Sequence, residues 1–141
     1  MIIKRTFLFL FPTILFCKSF TVDSKIDKEI AYIGDIIKWT IKVKNYDKRK
    51  FNFPITPDQD ESISIIKHQI IYNNNDPTGI EFELTAWDTG KFTTPDFSFD
   101  IMKNNEVDYS FKLDPIDFEI VSILTTTNQA EFKDIKGTVP V

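Results

Sequence analysis

The chain carries one histidine, His68, set among the isoleucines of residues 62–72. An imidazole acts as a base or a metal ligand only with partners, and the sequence around it supplies none. The reading is a strand histidine. A Ser-His-Asp triad would have to use it, and no Gly-x-Ser-x-Gly turn is present to carry a serine nucleophile. The one cysteine, Cys17, lies near the start of the chain. That argues against both an ordinary zinc site and a cysteine nucleophile in the remainder.

Carboxylates are the other candidates. Asp58, Asp60 and Glu61 follow Pro57 and offer the hard oxygens that calcium takes. They lack the Asp-x-Asp-x-Asp-Gly spacing, so they read as a solvated acidic turn. Glu81 and Glu83 stand about 7 Å apart on one face of a strand, a separation at which paired carboxylates can hydrolyse glycosides. They alternate with large apolar residues, which makes them the water-facing side of that strand. Trp87 and Tyr72 are the aromatics that could form a carbohydrate platform, although Trp87, where a strand meets a turn, reads as edge packing. Lys38, Lys42 and Lys44 share a polar strand face of the kind that guards a sheet edge. No catalytic, metal or cofactor-binding residue is assigned. The chain is read as not an enzyme and as requiring no cofactor.

The elements that would position these residues are strands. In Ile37-Lys38-Trp39-Thr40-Ile41-Lys42-Val43-Lys44 the odd positions are large and apolar and the even ones are Lys or Thr. Period two puts each set on its own face, with Trp39 as a core anchor. The same alternation recurs at Ile80, Phe82, Leu84 and Ala86, at Phe97 and Phe99, at Tyr109, Phe111 and Leu113, and at Ile116, Phe118 and Ile120. Ile63 and Ile65 run on one phase, and Ile66, His68 and Ile70 on the other, which predicts a bulge near Ile65-Ile66.

Turn chemistry separates the runs. Gly34-Asp35 precedes the Trp39 strand, residues 45–49 form a polar break, residues 73–79 read as a loop, Asp88-Thr89-Gly90 is a tight turn, and residues 103–106 link a hairpin. The expectation is an all-β chain, an immunoglobulin-like antiparallel β-sandwich of seven to eight strands over residues 20–124. A small barrel is the alternative. Residues 125–141 read as a linker or tail.

Residues 1–19 read as a signal peptide. Lys4 and Arg5 are followed by 12 residues, TFLFLFPTILFC, and then by Lys18-Ser19. The apolar stretch is about half of the ~20 residues of a membrane-spanning helix. A cut before Phe20, a lipidated Cys17 and an uncut leader serving as an anchor are the options. The leader holds three of 17 basic residues and none of 21 acidic ones, leaving 14 against 21 and a net charge of −7. Such a domain is not expected to bind nucleic acid through its overall field. Without cysteine it has no internal disulfide, and packing must hold it together.

Three stretches together resemble a known family. They are Ile33-Gly34-Asp35 with the strand to Val43, the run from Phe82 through Trp87-Asp88-Thr89-Gly90 to Thr94-Pro95-Asp96-Phe97, and Phe132-Lys133-Asp134-Ile135-Lys136-Gly137. The resemblance is to the N-terminal periplasmic region of the BatD family, the Bacteroides aerotolerance or oxygen tolerance proteins, over roughly residues 22 to 137. It implies an exported protein, periplasmic or tethered by a transmembrane helix beyond residue 141. It also implies envelope partners, among them von Willebrand-type and AAA-ATPase proteins, and it carries over no catalytic residue. The function expected is a non-enzymatic envelope protein acting through protein-protein contacts. The alternative is a secreted module binding carbohydrate or calcium.

Overall fold

The computed structural model describes residues 20–57 and 61–126. Ten strands and one short helical turn follow in order: β1 (Thr21–Ile26), β2 (Ile30–Tyr32), β3 (Ile37–Lys44), β4 (Lys50–Asn52), β5 (Ile63–Asn73), β6 (Asp76–Ala86), β7 (Gly90–Thr93), β8 (Ser98–Lys103), β9 (Glu106–Lys112), β10 (Asp117–Val121) and α1 (Ile123–Thr126). The protein is all-β and sandwich-like. One sheet has the order β1-β3-β6-β5, a second β2-β10-β7 and a third β4-β8-β9. Every pairing is antiparallel except β2 with β10, which is parallel.

Alternation does what period two requires. On β3, Ile37, Trp39, Ile41 and Val43 are buried while Lys38, Lys42 and Lys44 are exposed. On β6, Ile80, Phe82, Leu84 and Ala86 are buried. The rings of Trp39 and Phe82 meet Phe97 edge-on at 5.8 and 5.3 Å, across from one sheet to the chain leading into β8. Phe51, Phe53, Phe99 and Phe111 continue this aromatic core toward β4, β8 and β9. Each such buried side chain contributes roughly 1.5–3 kcal/mol, which replaces the crosslinks the domain lacks.

Ten strands stand where seven to eight were expected: the short strands β2, β4 and β7 and the edge strand β1 join the six alternating runs of the sequence. β7 stops before Pro95 and β9 before Pro115. Proline has no N–H to give to a ladder. The breaks are bridged: Thr94 N donates to Ile116 O at 2.9 Å, Leu113 N to Phe97 O at 3.0 Å, and Ile116 N to Thr94 Oγ1 at 3.0 Å. The second and third sheets therefore follow one another along the same pair of chain stretches.

Residues 73–79 are not a loop. Only Asn74 and Asn75 turn, both with positive φ (49° and 68°), and β5 and β6 pair up to Asn73↔Asp76. Two left-handed residues match the twist of a two-residue hairpin, and asparagine tolerates that region well. Pro77 is accommodated beside a register shift at Ile71/Tyr72. The bulge expected near Ile65-Ile66 is present, since pairing skips Ile66 between Ile65↔Leu84 and Lys67↔Glu83. With Lys67, that bulge blunts the outer edge of β5.

Along β9 and the residue after it the expected inward face fades outward: Leu113 is buried, Phe111 half-buried and Tyr109 exposed. A register shift at Ile101/Met102 accompanies this. Among the described residues no helix is long and apolar enough to cross a membrane.

Candidate functional site

Three backbone hydrogen bonds and one to a side chain build one end of the molecule. The turn between β2 and β3 is closed by Asp35 N donating to Tyr32 O at 3.0 Å and by Tyr32 N donating to Asp35 Oδ2 at 3.1 Å. Gly34 supplies the left-handed residue, with φ at 81°. The turn is clamped on both sides. Gly34 N donates to Ala86 O at the end of β6 (3.0 Å), and Ile33 N donates to Val121 O at the end of β10 (3.3 Å).

This clamp gathers large apolar residues from separate stretches. Ile33 and Ile36 come from the turn, Trp87 from the end of β6, and Ile123 and Leu124 from the chain leaving β10; all are exposed, Trp87 by 65%. The Trp87 ring lies over Gly34, where a Cβ would come within 3.4 Å of it. A cluster of exposed Trp, Ile and Leu at one end marks a contact surface better than scattered single residues do. Trp87 was expected to pack at an edge; instead most of its indole faces water.

The other expected residues are spread out. Tyr72 lies opposite Pro77 at the start of β6, whereas Trp87 follows its last residue. Ten residues at about 3.3 Å each separate them, so they share no platform. His68 is exposed on β5, opposite Phe82. Glu81 Oε2 accepts from Thr40 Oγ1 at 3.2 Å, and Glu83 stands between Lys38 and Lys67 in the cross-strand register. The two glutamates thus belong to a charge ladder on the outer sheet face. Lys44 Nζ pairs with Asp23 Oδ2 at 3.3 Å, both well exposed. Asp58 and Asp60 lie outside the described residues, as do Cys17, the leader and most of the tail. Among the described residues no group of three or more His, Cys, Asp or Glu is placed to hold a metal.

The sequence reading missed the apolar end. Ile33, Ile36, Trp87 and Leu124 come from three distant stretches, and no local pattern joins them. The signal available was apolar bulk at turn positions beside Gly34 and Asp88, where polar residues are usual. Comparison with protein-family models, with curated proteins and with solved structures gave no match.

Proposed function

We propose that this chain is a non-enzymatic exported protein of the bacterial envelope, an immunoglobulin-type sandwich that acts by protein-protein contact and resembles the periplasmic region of BatD proteins. The observation that carries the reading is the apolar end around Trp87, Ile33 and Ile36. A rigid backbone clamp presents it, as a contact surface needs. The strand order supports the immunoglobulin type. β1-β3-β6-β5 corresponds to one four-stranded layer of that fold, and β4 with the interrupted pair β7/β8 and β9/β10 corresponds to the other. The parallel pairing of β2 with β10 suits a first strand that switches layers midway.

The leader supports export, and the resemblance supports von Willebrand-type and AAA-ATPase proteins as partners. The test is site-specific photocrosslinking in envelopes of the source bacterium. A photoreactive residue replacing Trp87 should capture a von Willebrand-type envelope protein, and one replacing Lys42 on the charged sheet face should not. Equal capture at both positions, or none at Trp87, would count against the reading.

A further inference from the structure

The end of the molecule opposite Trp87 carries a groove that the protein-contact reading does not use. It lies between the β3–β4 connection and the β8–β9 hairpin and has a volume of about 510 Å³. That is within the size range of small-molecule sites, roughly 300–1,000 Å³. Lys48, Arg49, Lys50 and Lys103 line it. A domain of net charge −7 thus collects four cations in one cleft. Among the described residues Lys48, Lys50 and Lys103 enter no salt bridge or side-chain hydrogen bond.

The walls are held in unusual conformations. Asp47 and Lys48 on one side and Asn104 and Asn105 on the other all have positive φ, four of the seven such non-glycine residues described. The hairpin wall also contains the register shift at Ile101/Met102, a device that re-aims side chains. Arg49 is oriented by its guanidinium lying over the Phe20 ring at 5.6 Å.

The mixture of groups selects the ligand. Four cations against the two carboxylates of Asp47 and Asp108 leave the lining with a net positive charge, which favours an anion. Asp47 and Asp108 repel a dense polyanion, while a carboxylate such as that of Asp108 accepts hydrogen bonds from hydroxyls. Asn104 and Asn105 can both donate and accept, and the exposed Tyr109, whose ring is tilted against Phe20 at 6.4 Å, offers the rest of its ring to a flat apolar surface. Hydroxyls, a negative charge and an apolar ring face occur together in an acidic sugar.

We propose that this groove is a binding site for an acidic saccharide, with Lys48, Lys50 and Lys103 holding its carboxylate and Tyr109 packing against its ring. The inference is independent of the contact role of the Trp87 end. The probes are digalacturonate, a neutral digalactoside and inorganic phosphate. They are titrated into the full 141-residue chain, 15N-labelled and held in a neutral detergent without a sugar headgroup. Digalacturonate should shift the amides of residues 47–50 and 101–109, weaken with added salt, and bind at least tenfold more tightly than the neutral sugar or phosphate. Lys48→Glu and Lys103→Glu should each cost at least tenfold, with the remaining spectrum unchanged, while Lys42→Glu should have no effect. An absent response, equal binding of the neutral sugar or of phosphate, or indifference to Lys48→Glu and Lys103→Glu would each overturn the proposal.

Discussion

The indole Nε1 of Trp39 donates a 3.0 Å hydrogen bond to Ser24 Oγ, tying the largest buried side chain of β3 to the edge strand β1. A buried tryptophan needs a partner for its N–H, and here that partner comes from the first strand of the chain. Ser24→Ala should therefore lower stability by about 1 kcal/mol in urea unfolding. In a Trp39→Phe background the same change should be nearly neutral. An undiminished cost there would show that Ser24 acts by some route other than this bond.

Two threonines with equal burial should respond oppositely to one substitution. Thr94 Oγ1 accepts from Ile116 N across the Pro95 and Pro115 breaks, while Thr85 Oγ1 is buried with no partner among the described residues. Thr94→Val is expected to cost about 1–3 kcal/mol, because it orphans a backbone N–H. Thr85→Val should be neutral or stabilising, since it removes a desolvated hydroxyl that gains nothing. Thermal unfolding of the pair checks the difference in sign.

Gly79 is required by proximity, not by backbone angle. A Cβ at this position would run into the carbonyl oxygen of Ile41 on β3. Gly79→Ala should push β6 away from β3 and cost roughly 1–3 kcal/mol, the range of overpacking in a close-fitted interior. Gly34→Ala should also destabilise, through its positive φ, by about 1–2 kcal/mol. Hydrogen exchange separates the two. Gly79→Ala should speed exchange along β3 and β6, and Gly34→Ala only in the turn and the strand ends it clamps.

The two-residue turn at Asn74-Asn75 predicts a further asymmetry. Asn75→Gly should be tolerated or slightly stabilising, because both turn positions are left-handed. Replacing both asparagines by alanine should cost about 2 kcal/mol and loosen the hairpin from its tip. Amide protection at Tyr72 and Asn73 reports it.

The core was legible because its signal is local. Trp39 among alternating lysines, and Phe82 among alternating glutamates, announce their inward face within a few residues. The Ile66 bulge was legible for the same reason, as a change of phase. Pro77 misled, because proline and three asparagines suggest a loop, whereas tertiary pairing zips all but two of those residues into strands. β1, β2 and β4 were harder to read, since β2 and β4 are three residues long and β1 buries none of its residues fully, so none shows a clear alternation. The two ends of the molecule were illegible. Lys48-Arg49-Lys50 and Lys103 are 53 residues apart at their nearest, as are Gly34 and Trp87, and only folding brings either set together.

The parallel pairing of β2 with β10 bears on mechanical load. Phe20 enters at the groove end, packed on Phe51 and Phe111, and Ile123 leaves at the opposite end. Tension applied through these two points pulls β2 and β10 past one another along their length. Glu119 N donates to Glu29 O at 2.8 Å, and the pairs Glu119↔Ile30, Ile120↔Ala31 and Val121↔Tyr32 follow in register. Those bonds are loaded together in shear rather than peeled one at a time. A domain joined to its surroundings at both ends would thus resist stretching as a short strut, with the three residues of β2 as a second line behind the six pairs that hold β1 to β3.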